Sequence, residues 1–151
     1  MIGFSRKIKP ELIRLDAVTA CQLRCPVCPT ALGKIANTIG TGFLRFGDFK
    51  KLVDDNPWVR DIDLSNWGEL FLNSDLLSII RYAYEKHVTL RADNGVNLNT
   101  VSDELLEALV RYRFHSLSCS IDGASQDTYA VYRRGGEFFA RDRAHQANQS
   151  A

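Results

Sequence analysis

The sequence predicts an α/β protein, built from repeated strand–helix units around a parallel sheet. Three observations carry that expectation. Short runs of branched apolar residues alternate with segments of helical periodicity, a pattern that implies parallel pairing with right-handed crossovers. Residues suited to ligand binding fall just beyond the strand-like runs, where such sheets bind ligands. The length, 151 residues, suits one domain with a real core.

"LIRLDAV" (12–18) is rich in branched apolar residues and reads as a first strand. A loop with three cysteines follows it. "FGDFKKLVDDN" (46–56) places Phe46, Phe49, Leu52 and Val53 on one helical side, and Asn56-Pro57 stops the helix. "VRDIDLSN" (59–66) is a short second strand. "SDLLSIIRYAYEKH" (74–87) predicts a helix with Ser74 as N-cap and an apolar stripe of Leu76, Ile79, Ile80 and Ala83. "VTLRADNG" (88–95) reads as a third strand ended by the turn signal Asn94-Gly95. "SDELLEALVRYR" (102–113) has a Ser102 cap, acids in its first turn and arginines in its last. "HSLSCSIDG" (115–123) is a fourth strand and "SQDTYAVYRR" (125–134) a final helix. Beyond Phe138 no periodic apolar signal remains. Residues 1–138 are therefore expected to form the core domain and 139–151 a disordered tail.

Composition narrows the function. A net charge of +1 provides no electrostatic footprint for nucleic acid or an anionic membrane. No apolar run is long enough to span a bilayer, and the N-terminal stretch has no apolar signal core. Three clustered cysteines and a lone Cys119 do not form a disulfide framework, which suits a reducing cytoplasm.

The stretch "TACQLRCPVCPTALGK" (19–34) holds Cys21, Cys25 and Cys28. Zinc wants four ligands, and neither Cys119 nor His87, His115 and His145 completes a recognisable set, although His115 and Cys119 could share a strand face. Three unligated loop thiols would be an oxidative liability. A 4Fe–4S cubane fits better. Three thiolates hold three irons and leave the fourth open, and an open metal position marks a site that does chemistry.

"CQLRCPVC" resembles the CxxxCxxC signature of the radical S-adenosylmethionine (radical SAM) superfamily. The resemblance implies that Cys21, Cys25 and Cys28 ligate a 4Fe–4S cluster whose open iron chelates SAM. Reductive cleavage of SAM would then give methionine and a hydrogen-abstracting 5′-deoxyadenosyl radical. It implies an electron donor such as a flavodoxin or ferredoxin. Val27 stands where the family often has an aromatic residue against adenine.

"SNWGELFLN" (65–73) resembles the family's GGE motif, with Trp67 in place of the first glycine. The resemblance assigns Gly68 and Glu69 to the SAM amino group. By itself a Gly-Glu pair is a plain turn. "SCSIDGASQDTYAVYRRGG" (118–136) resembles the fourth-strand segment of the SPASM-related group, which modifies peptides and proteins. By that likeness Ser120 contacts the SAM ribose and Arg133 its carboxylate, with Arg134 the rival. Asp122-Gly123 reads equally as part of the site or as a turn or helix-entry device. "ADNG" resembles the family's "TNG"; Asn94 either touches the cofactor or permits a left-handed turn before Gly95. Cys119 alternates with Ser120 and is expected to be a small buried core residue.

The resemblance covers residues 12–138 and implies a partial TIM barrel, of which only about four strand–helix units are present. Strands five and six, and a cysteine-rich extension, are missing. Two readings follow. One is a radical SAM core acting on an unknown substrate, possibly peptide or protein. The other is a catalytically inactive fragment that binds a cluster or zinc and serves at most as an interaction module.

Overall fold

A computed structural model describes residues 9–138. The tail expected over 139–151 lies outside the described residues. Four strands form one parallel sheet in the order β1-β2-β3-β4: β1 (Leu12–Arg14), β2 (Asp61–Asp63), β3 (Thr89–Val96) and β4 (Ser116–Cys119). Five α-helices alternate with them: α1 (Lys34–Ile39), α2 (Phe46–Asp55), α3 (Leu76–Glu85), α4 (Asp103–Arg111) and α5 (Gln126–Tyr132). The predicted order of strands and longer helices holds. β1, β2 and β4 are shorter than expected because pairing frays at their ends. Leu15 still donates its N–H to Asp63 at 2.9 Å, and Val18 forms an isolated antiparallel bridge with Phe43.

The two faces of the sheet differ. Ile13, Ile62 and Leu90 are in register on one face, which α2 and α3 cover. Phe49, Ile62, Leu76 and Ile79 form the centre of that core, each fully buried. The alternate positions carry charge. Arg14 Nε meets Asp63 Oδ2 at 3.2 Å, and Arg91 Nη2 meets Asp61 Oδ1 at 2.6 Å. This explains why "DIDL" and "TLRAD" alternate between apolar and charged residues, unlike the continuous apolar runs of strands buried on both faces.

Helix ends follow their sequences in two cases. Ser102 Oγ accepts the Leu105 N–H, as predicted, and Ser125 and Thr128 form a reciprocal capping box on α5. The expected Ser74 cap is corrected. Asp75 occupies the N-cap position of α3 and makes no side-chain cap there. Its carboxylate instead accepts the Phe46 N–H at 2.9 Å, so it caps α2, whose own N-cap Arg45 supplies no acceptor.

Two further expectations are overturned. Asn94-Gly95 does not end the third strand. The strand continues to Val96 through a register irregularity, with Gly95 at φ 97°, so the glycine serves a bulge. Cys119 is exposed, not buried. β4 is an edge strand with β3 as its neighbour, and nothing among the described residues covers Cys119.

Candidate functional site

The loop from Thr19 to Gly33 lies at the carboxyl end of the sheet, directly after β1. Leu23 is buried and anchors it. Cys28 donates its N–H to the Cys25 carbonyl at 3.2 Å, and Lys34 to the Pro29 carbonyl at 2.9 Å, which turns the chain into α1. All three cysteines are free thiols; Cys25 is buried, and Cys21 and Cys28 are half-buried.

Segments following the other three strands close on this loop. After β2, Gly68 is pressed against it. A Cβ on Gly68 would lie 2.0 Å from the Val18 carbonyl oxygen and 2.8 Å from that of Ala20, so no side chain fits. Glu69 donates its N–H to the Ala20 carbonyl at 2.8 Å, Asp16 accepts the Trp67 N–H at 3.1 Å, and Thr30 donates its hydroxyl to the Trp67 carbonyl. After β3, Gln22 Nε2 donates to Asn97 Oδ1 at 2.8 Å. After α5, Arg24 donates its N–H to the Arg134 carbonyl at 2.8 Å, and Arg133 Nη1 reaches Cys25 Sγ at 3.8 Å. Gly68 and Glu69, after β2, and Arg133, after α5, thus lie against the cysteine loop.

Glu69 is 3% exposed. One carboxylate oxygen accepts the Phe71 N–H at 3.2 Å; the other accepts the Asn97 N–H at 2.8 Å and the Asn97 side-chain amide. Burial pushes its pKa up to about 7, opposed by the Asn97 and Phe71 donors and by the Arg133 charge. A cation beside Glu69 would restore the carboxylate.

Ser120 donates its N–H to the Val96 carbonyl at 2.8 Å, and its hydroxyl oxygen lies 2.5 Å from where a Cβ on Gly95 would sit. Its hydroxyl therefore lies over the β3 bulge. Asn94 donates its backbone N–H to Ser65 Oγ and its side-chain amide to the Ser65 carbonyl, each at 2.9 Å, so it ties β3 to the end of β2. Arg133 is largely covered, whereas Arg134 is exposed. Val27 is exposed on the loop.

Sequence reasoning missed Asn97, Gln22 and the Asp122–Arg133 ion pair. "NGVNLN" did carry a signal, since Asn97 and Asn99 recur at a spacing of two just past the strand. Asp122 and Arg133 are separated by helix α5, so no local pattern linked them.

The thiols suit a metal cluster by their electrostatics. Burial pushes the Cys21 thiol up; the Leu23 N–H, 3.4 Å from its sulfur, opposes this, while Glu69, Cys25 and Cys28 add further upward pressure. A Cys21 thiol whose ionisation is disfavoured by burial and by the acidic groups around it fits a site that positive metal neutralises. Among the described residues no three His, Cys, Asp or Glu side chains group closely enough to hold a metal ion. A cubane does not need that grouping, since each thiolate binds a different iron.

No family model matches the chain. It is 27% identical over 125 residues to an AdoMet-dependent heme synthase of Methanosarcina barkeri (strain Fusaro / DSM 804), matching 82% of this chain and 34% of that protein. Its fold matches a crystal structure of BtrN in complex with AdoMet and 2-DOIA, with a TM-score of 0.53 and 16% identity. The two similarities support the radical SAM resemblance over part of the fold. That match covers 68% of this chain and 42% of BtrN, and it fits the four parallel strand–helix units described above. The chain spans about a third of the length of the heme synthase it matches. No helix among the described residues is long and apolar enough to cross a membrane.

Proposed function

We propose that this chain forms part of a radical SAM enzyme core, with Cys21, Cys25 and Cys28 as ligands of a 4Fe–4S cluster and the neighbouring loops as the SAM site. One observation carries the reading: segments after β2, β3 and α5 are all fastened to the cysteine loop, by Glu69 to Ala20, Gln22 to Asn97 and Arg24 to Arg134. A free surface loop has no need of such anchoring. When bound, a reduced cluster and SAM supply one-electron cleavage of the sulfonium.

The chain's own residues then bind and orient. Gly68 lets the loop after β2 lie against the cysteine loop without a side chain between them. Glu69, with three protein donors already on its carboxyl group, keeps acceptor capacity for a ligand ammonium, whose charge would draw it into the carboxylate form. Ser120, beside the β3 bulge, offers a hydroxyl that both donates and accepts, which suits a ribose. Asn94 is tied to Ser65 by its backbone N–H and its side-chain amide, which leaves a second amide hydrogen and Oδ1 for a cofactor. The substrate class, a peptide or protein, rests on the likeness of residues 118–136 to the SPASM-related group. A flavodoxin or ferredoxin as electron donor and a cytoplasmic location belong to the same proposal.

A second reading, a fragment without activity of its own, is favoured by the open edge of β4, where Cys119 and Ile121 are exposed. Anaerobic reconstitution separates the two. Iron and sulfide near four per chain (on the order of one cubane), with 5′-deoxyadenosine formed on adding dithionite and SAM, supports the enzyme. A loaded cluster without that product supports the fragment. Failure to take up iron removes the cluster from both.

A further inference from the structure

Arg133 is held in a fixed pose at the end of α5. Its Nε pairs with the Asp122 carboxylate, its guanidinium lies 5.4 Å from the centroid of the Tyr132 ring, and its backbone N–H donates to the Tyr129 carbonyl at 2.8 Å. In that pose Nη1 points at the sulfur of Cys25, 3.8 Å away. Cys25 is 4% exposed, so little water competes for that sulfur. The neighbouring Arg134 is exposed and contributes its backbone carbonyl to the loop instead.

We infer that Arg133 is a positioning residue for the cluster, donating an N–H to the Cys25 sulfur from a pose set by Asp122, in addition to or in place of any contact with the SAM carboxylate. The inference rests on the cluster reading above. Hydrogen bonds to ligand sulfurs and nearby charge set the potential of an iron–sulfur cluster. Reduction adds an electron to the cluster and its thiolates, so a cationic donor at one of those sulfurs favours the reduced state. Loss of the guanidinium therefore lowers the midpoint potential. The fork also matters. Arg133 holds Asp122 with one nitrogen and the sulfur with another, and a lysine ammonium can keep the charge without that geometry.

The test is a redox titration of the reconstituted full chain without SAM, followed by EPR, on wild type, Arg133→Met, Arg133→Lys and Arg134→Met. The expected result is a fall of about 59 mV or more in Arg133→Met, a tenfold change for a one-electron couple. Arg133→Lys should recover part of the fall, and Arg134→Met should not move. SAM affinity is measured in parallel by calorimetry. An unmoved potential in iron-loaded Arg133→Met overturns the inference. So does an unmoved potential with a tenfold loss of SAM affinity, which would return Arg133 to the carboxylate alone. If Arg133→Met fails to fold or load iron, Arg133→Lys decides, and a potential equal to wild type with the fork lost overturns the role of that geometry. Iron analysis of wild type comes first, so failure of the cluster reading is recognised before any variant is compared.

Discussion

Strands β2 and β4 have similar sequences and different surroundings. "DIDLSN" and "SCSIDG" each place an isoleucine and an aspartate near the strand end. Ile62 is 0% exposed, between β1 and β3 and beneath the helices. Ile121 is 65% exposed, just past a strand whose paired neighbour is β3. Burial here is decided by what lies alongside, not by local sequence. The β4–α5 segment is held in a different way. Its contacts run to the cysteine loop and the loop after β3, through Arg24 to Arg134, Asn99 to Tyr129 and Arg133 to Cys25. One region is ordered by an apolar core, and the other by polar fastening to the candidate site.

The same truncation at the two isoleucines gives the sharpest contrast. Ile62→Ala should cost about 2–5 kcal/mol, the range for a buried large-to-small change. Ile121→Ala should fall within about 0.5 kcal/mol of wild type, as for an exposed position. Urea denaturation of the three proteins reads both. A loss above about 2 kcal/mol at Ile121 would mean that its side chain is covered in solution, and the contrast between the strands would fail.

The order of strands and helices was legible because it depends on periodicity. Leu76, Ile79, Ile80 and Ala83 point one way on α3, as their spacing requires, and all are buried. The cysteine spacing and the Gly68-Glu69 pair were legible as chemistry set after strands. What stayed hidden depends on partners distant in sequence. Asp75 caps α2 from 29 positions away, and Asn97 reaches Glu69 across 28. Cys119 looked like a core residue because alternation with Ser120 says that the two face opposite sides of β4 but not what covers either side. Gly95 looked like a turn because a positive φ serves a turn and a bulge equally well.

Glu69 lies at the seam between the two regions, joining the loop after β2 to the segment after β3, and pH tests that seam. Its ordinary pKa is 4.5, and in the folded chain burial raises it to about 7. Below 4.5 both states hold the proton. Between 4.5 and 7 the unfolded chain has released it while the folded chain retains it, so stability falls as pH rises through this window and levels off above it. At roughly 1.4 kcal/mol per unit the fall is at most about 3 kcal/mol. Glu69→Gln, which cannot ionise, should lose this component of the pH dependence when melting temperature is followed from pH 4 to 8. An unchanged slope would show that Glu69 is not the titrating group.

The smallest effect compares the entries to β3 and β4. His87, at φ 57°, precedes the first, and Arg113, at φ 54°, the second. Both sit in the same helix-ending motif. His87 donates to Tyr84 and Val88 to Ala83 in one; Arg113 donates to Val110 and Phe114 to Leu109 in the other. A left-handed backbone costs an L-residue about 1–2 kcal/mol. Glycine removes that strain but loses about 0.5–1 kcal/mol through its freer unfolded chain. His87→Gly and Arg113→Gly should therefore each stabilise by about 0.5 kcal/mol. The local geometry is the same, so the two gains should match even though β3 is interior and β4 an edge. Paired denaturation curves that differ by more than about 1 kcal/mol would place the distinction between the regions in the helix ends themselves.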